Sequence, residues 1–206
     1  MRHAHARSNA DDRISSVPPG ESLSELGVEE ARALREALSG EPIGLGVATR
    51  LRRTQETLDL ALGERDIERL VVAELDEIGF GAFEGGPLDD YRAWAWSNEP
   101  GALCPGGGET RVAVAERVAA ALRALLERPE EDVLAVSHAL PVRYVLDAAD
   151  GTFPAARIAP VPHATAFALG AEAVERAAET LGAWARAPRF VEPRDDPSIG
   201  SPDRAL

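Results

Sequence analysis

An α/β protein with a parallel sheet is predicted by three observations. Short apolar runs (43–48, 70–74, 133–137) alternate with longer stretches of helical periodicity. Breakers such as Gly40 and Pro42 separate them. A basic or imidazole-bearing motif follows directly on two of the runs. Buried parallel strands read as continuous apolar runs, and helices must cover both sheet faces. The expected architecture is three-layered: a mostly parallel central sheet with helices on both faces.

In chain order, 22–39 reads as a helix, with acidic residues early, Leu and Ala at helical spacing and Gly40 as its stop. Residues 43–48 suit a buried strand, 50–62 a second helix and 70–74 a second strand. A Gly-rich acidic loop runs from Leu75 to Gly86, and a short helix over 88–97 carries Trp94 and Trp96. Two tryptophans two positions apart on a helix cannot both face inward. After the breaker-rich 100–108, a long helix covers 109–127, a core strand 133–137 and an apolar helix the stretch to about Ala148. Residues 164–169 suit a further strand and 171–185 a helix. The chain is read as one domain over 1–187 with a polar, Pro-rich and disordered tail over 188–206.

Composition narrows the function. The 206 residues carry 22 basic and 35 acidic side chains, a net charge of −13. All the basic residues are Arg. Such a chain repels nucleic acid and anionic lipid unless positive charge is concentrated locally. Cys104 is the only cysteine, which excludes an intrachain disulfide and a Cys-based zinc site. No apolar run reaches the roughly 20 residues of a membrane span. Met1 to His5 lacks the apolar stretch of a signal peptide, so a cytoplasmic location is expected.

Four clusters carry chemistry. Arg2 and His3, with Asn9 shortly after, pair a guanidinium fork suited to phosphoryl oxygens with a ring nitrogen able to attack phosphorus. Arg50, Arg52 and Arg53 make a local positive spot at the start of a helix, with Arg50 and Arg53 on a shared face. In the loop from Leu75 to Gly85, Phe80 and Phe83 could shield a carboxyl and raise its pKa, as a general acid needs. Ser137-His138 ends a strand and opens a helix, where ligands of open α/β sheets sit. Each cluster alone also fits a structural reading, and His163, between Pro162 and a strand, reads as structural or as a pocket rim.

Taken in order, the clusters resemble the histidine phosphatase superfamily, the phosphoglycerate-mutase-like fold, over roughly residues 1–170. Arg2-His3-Ala4 stands for its Arg-His-Gly, and Thr49 to Thr57 loosely matches its Ser-x-Leu-x-x-Arg segment. Leu75 to Gly85 matches its Leu-x-Glu-x-x-Phe-Gly loop, Pro105 to Glu109 its Pro-Gly-Gly-Glu, and Ser137-His138-Ala139 its Ser-His-Gly. The resemblance implies His3 as nucleophile and Glu77 as acid and base, with Glu84 the other candidate acid. It also implies Arg2, Arg53, His138, Asn9 and Ala139 around the phosphate. It implies no metal and no cofactor. The family's apolar strand ahead of Arg-His is reduced here to Met1, a truncated N-terminal strand.

The expected activity is a phosphomonoesterase acting on a small phosphorylated metabolite through a phosphohistidine. Alternatives are a cofactor-dependent phosphoglycerate mutase and a non-catalytic phosphoester-binding protein. A metal-dependent hydrolase finds little support. His3 and His5 start a ligand-like run, but Arg7 stands where an Asp ligand would, and Arg cannot ligate. Loops 10–21, 86–108 and 150–162 are expected to set specificity. A homodimer is left open.

Overall fold

The computed structural model describes residues 1–191. Its sheet has three parallel strands in the order β2-β1-β3. These are β1 (Leu45–Ala48), β2 (Glu68–Val71) and β3 (Val133–Ala135). Seven helices accompany them among the described residues: α1 (Arg7–Ala10), α2 (Glu25–Ala37), α3 (Arg52–Leu62), α4 (Leu88–Trp96), α5 (Arg111–Leu126), α6 (Ala139–Ala149) and α7 (Ala171–Arg186). Ser24 caps α2 through the Gly27 amide and Thr110 caps α5 through the Ala113 amide, which sets where each helix starts.

The period-two alternation of strand side chains separates two layers. Leu45 and Val47 of β1 enter a core with α5, α6 and α7. Ala48 of β1, with Leu134 and Val136, enters a second core with Leu34 and Leu38 of the α2 segment and Leu58, Ala61 and Leu62 of α3. Helices therefore cover both faces, as expected. On the α3 side, Gly46 lets the helix approach: a Cβ there would lie 2.8 Å from a Leu62 methyl.

Two strand expectations need correction. The strand placed at 70–74 is β2, Glu68–Val71, and it lies at the sheet edge with mostly exposed side chains. Its continuation leaves the sheet after the Val72 amide bonds the Ala48 carbonyl, turning through a 3-10 turn at Ala73–Leu75. The stretch 164–169 forms no strand of the sheet, because β3 is not its neighbour. Between them lies a groove of about 480 Å³, lined by Met1, Leu125, Val133, Ala135, Val145 and Phe167 among others. Beside this groove the chain's first residues take the strand's place, with Arg2 bridging Ser137 on one side and His163 on the other.

The first residues of the assigned tail are attached to the domain. Phe190 lies 5.9 Å from the Trp184 ring, and the Val191 amide donates to the Pro154 carbonyl at 3.2 Å. The rest of that tail, 192–206, lies outside the described residues. No helix among the described residues is long and apolar enough to cross a membrane.

Helix α2 meets the chain's first residues at Gly27, where a Cβ would fall 1.9 Å from the His5 carbonyl oxygen. That oxygen is backbone and cannot move aside alone. Gly27→Ala is expected to destabilise the protein by about 1–3 kcal/mol in urea unfolding, with activity loss because His5 sits two residues from His3. Gly40→Ala, with no atom within 4 Å of its Cβ, should stay within about 0.5 kcal/mol of wild type.

Candidate active site

The site forms where strand ends converge. The Met1 ammonium donates to the Ala135 carbonyl, the Ser137 amide to the Met1 carbonyl and the His3 amide to the Ser137 carbonyl, each at 2.9 Å. These bonds continue the parallel ladder and set Arg2 and His3 beside the end of β3. Two more contacts hold the segment from the α2–α3 layer. The Ala4 amide donates to Thr57 Oγ1 at 3.0 Å, and the His5 amide to Glu30 Oε2 at 2.7 Å.

Arg53, in the first turn of α3, ties the cluster together. Its Nε donates to His3 Nε2 at 3.0 Å and its Nη2 to His138 Nδ1 at 3.1 Å. The three side chains are 4%, 3% and 0% exposed, and the two rings are 5.3 Å apart. Because arginine has no acceptor, both imidazoles must present lone pairs to it. His3 then carries its proton on Nδ1, which donates to the Ala4 carbonyl at 2.7 Å. His138 carries its proton on Nε2 and donates to Thr49 Oγ1 at 2.9 Å. Thr49 in turn bonds Thr54 Oγ1 at 2.9 Å, so the end of β1 and the start of α3 orient the ring.

Burial, reinforced by the positive charge of Arg53, pushes the pKa of both imidazoles well below the ordinary histidine value. His3 is thus a neutral ring with Nε2 unprotonated, the form in which a nitrogen can attack. Arg53 itself is lowered to about 10 by burial and stays a cation at neutral pH. Glu77 moves the other way: burial raises its carboxyl above the usual value, while the Ile78 amide and the cations Arg53, Arg2 and Arg117 oppose the rise. The Ile78 amide donates to Glu77 Oε1 at 3.1 Å. Arg117 fixes this loop by donating to the carbonyls of Glu74, Asp76 and Glu77.

The sequence candidates separate clearly. His3, Arg53 and His138 form one buried hydrogen-bonded cluster, with the partly buried Arg2 and Glu77 within its electrostatic reach. Ala139 is the first residue of α6, whose N-terminal amides open behind His138. Asn9 spends its Oδ1 on the Ala6 amide at 2.9 Å, capping α1. Glu84 is engaged elsewhere, accepting from the Ser16 amide and hydroxyl at 2.8 and 2.6 Å. Arg50 does not share the inward face with Arg53, because α3 begins only at Arg52. Its amide and guanidinium bind the Asp76 carboxylate at 2.9 and 2.7 Å. Phe80 and Phe83 join Tyr91 and Trp94 in an aromatic cluster. Trp96 is 43% exposed, under the Arg157 guanidinium at 4.5 Å, so the two tryptophans of α4 do face different ways.

Sequence reasoning missed Thr49, Asp76 and Arg117, which carry no charge pattern of their own and act only through long-range contacts. Among the described residues, no group of three or more His, Cys, Asp or Glu side chains is placed to hold a metal ion. His5 is bonded to Ser24 Oγ at 2.8 Å. Arg2 Nε and Arg53 Nη1 are buried donors with no protein partner among the described residues. Buried guanidinium donors are rarely left so, and an anion is the group that would satisfy both.

Comparison with known proteins agrees with this geometry. A family model of the histidine phosphatase superfamily (branch 1) matches residues 1–169. The adenosylcobalamin/alpha-ribazole phosphatase of Escherichia coli K12 is 29% identical over 147 residues, covering 67% of this chain and 71% of its own. The alpha-ribazole phosphatase structure from Shigella flexneri superposes with a TM-score of 0.66 at 26% identity, covering 74% of this chain and 78% of that one. A mycobacterial glucosyl-3-phosphoglycerate phosphatase, solved with VO3, superposes with a TM-score of 0.62 at 26% identity over 72% and 78% of the two chains. With Arg-His at the head of the fold, an arginine at the start of α3 and a second histidine behind β3, the chain belongs to branch 1 of the histidine phosphatase superfamily and is a phosphatase of that family.

Proposed function

We propose that the chain hydrolyses the phosphomonoester of a small metabolite through a phosphohistidine on His3. The observation that carries this reading is the Arg53 fork, which holds two neutral imidazoles while keeping Nη1 free for an anion. In the first step, His3 Nε2 gives up its bond from Arg53 Nε, which turns to the phosphoryl oxygens, and attacks phosphorus as the bond from phosphorus to the ester oxygen breaks. Glu77, whose pKa burial raises, gives its proton to the departing alkoxide. Arg2 and Arg53 neutralise charge on the transferring oxygens. In the second step, water attacks the phosphohistidine, the Glu77 carboxylate takes its proton, and phosphate leaves with His3 restored.

The relatives named above for α-ribazole and glucosyl-3-phosphoglycerate phosphatases support a small phosphorylated metabolite as substrate. Helix α4 lies on the Arg2 side of the site: burial lowers the Arg2 pKa first, and Arg92 of α4 adds to that lowering. Its exposed Trp96 under Arg157 belongs to the loops expected to set specificity. Asn9 and the Ala139 amide would assist at the phosphate, the latter through the helix N-terminus.

His3→Ala should abolish turnover of an aryl phosphate and remove acid-labile phosphate labelling of the protein; full turnover by that variant would overturn the reading. Glu77→Gln should lower kcat by about 100- to 10,000-fold for a poor leaving group and far less for a p-nitrophenolate. The alkaline limb of kcat/KM belongs to the raised Glu77 carboxyl and should vanish in that variant. For stability the signs are opposed. His3, His138 and His163 have folded pKa values below the unfolded value, so the unfolded chain binds protons first as pH falls below about 6.5, and stability falls. Glu77, raised in the folded state, works against this as it protonates. Three imidazoles against one carboxyl give a net loss, read as a Tm that drops steeply from pH 7 to 5 and less steeply in His163→Asn.

A further inference from the structure

We propose that His163 is a third imidazole of the phosphoryl pocket, with its Nε2 hydrogen-bonded to an oxygen of the bound phosphate beside Arg2. This assignment rests on the phosphoryl pocket described above and adds to it a residue that the motif resemblance did not supply. The first support is placement. Residues Arg2 and His163 form a parallel backbone bridge, and the Ala164 amide donates to the Arg2 carbonyl at 3.2 Å. Bridged residues of adjacent strands project their side chains to the same side. The His163 ring then lies 5.7 Å from the His3 ring.

The second support is an unsatisfied pair. His163 Nε2 is a buried ring nitrogen with no partner among the described residues, and so is Arg2 Nε. Arg2 spends Nη1 on the Val161 carbonyl at 2.9 Å, two residues ahead of His163, which locks the guanidinium against this segment. The three orphaned atoms thus belong to side chains grouped around His3: Arg2 is its chain neighbour and is bridged to His163, the His163 ring stands beside the His3 ring, and Arg53 donates to it. Leaving each of them unpaired is unfavourable, and one phosphoryl group offers an acceptor to all three. The ring is held for this purpose from its outer side, where His5 packs edge-on at 5.4 Å and is itself bonded to Ser24.

The third support is charge state. Burial and the neighbouring Arg2 lower the His163 pKa to about 3, so the ring is neutral at working pH. A neutral imidazole with its proton on Nε2 donates one hydrogen bond without adding a third cation to Arg2 and Arg53. It therefore shapes the pocket more than it charges it.

The test compares the full-length wild type with His163→Phe, which keeps a ring and loses both nitrogens, and His163→Gln, which restores a donor. Inorganic phosphate serves as competitive inhibitor of p-nitrophenyl phosphate turnover. His163→Phe is expected to raise the phosphate Ki by about 10- to 100-fold, with Tm nearly unchanged. His163→Gln should recover most of that loss. A His163→Phe variant whose Ki stays within twofold of wild type overturns the assignment. Should that variant fold poorly, nitrogen NMR of the wild-type imidazoles decides. His163 Nε2 must shift on saturation with inorganic phosphate, and an unmoved resonance overturns the assignment. Because these readouts measure phosphate binding, they judge His163 even if His3→Ala retained turnover, an outcome that would overturn the phosphohistidine reading instead.

Discussion

A single guanidinium bonds two imidazoles at once in the interior of this protein, and the rest of the site is arranged to make that tenable. Arg53 sits 4% exposed between His3 and His138, donating to both. Burying a cation without a carboxylate against it is costly. Here the compensation comes from two neutral nitrogen acceptors and from more distant carboxyls, Glu77 foremost. The arrangement leaves one guanidinium nitrogen unspent. A site built this way is short of negative charge, and a phosphate ester supplies it.

The same burial sets every protonation state the chemistry needs. Desolvation disfavours charge on any group, so it lowers imidazoles and raises carboxyls together. The His3 imidazole is pushed toward its neutral form while the Glu77 carboxyl is pushed toward its protonated one. Neither effect requires a special partner for each residue: burial produces both, while the two arginines deepen the first and oppose the second. The ion pair of Arg50 with Asp76, and the carbonyl contacts of Arg117, spend the remaining local charge on holding the loop that presents Glu77.

The sheet supports this site with little material. Three ladder bonds fasten Met1–His3 to the end of β3, and bonds from Thr57 and Glu30 secure the next two residues. The groove behind Met1 leaves the far edge of β3 without a strand beside it. None of Arg2, His3, Arg53 or His138 lines that groove, so this hollow and the imidazole cluster are separate places.

The amino-acid sequence alone determined the alternation of helices and strands, because apolar periodicity follows directly from which face each element buries. It also singled out Arg2, His3, Arg53, Glu77 and His138, since each stands at a motif position or a strand end. Boundaries were less legible. The strand at 70–74 moved to Glu68–Val71, and 164–169 never joined the sheet, because strand identity requires a neighbour and not only a pattern. The capture of Glu84 and Arg50 by other partners and the placing of His163 beside the His3 ring were decided only by tertiary structure. Those outcomes depend on which long-range partner captures a side chain: Ser16 took Glu84, Asp76 took Arg50, and the bridge to Arg2 carried His163 inward. Spacing along a chain does not encode which partner captures a side chain 26 or 68 residues away.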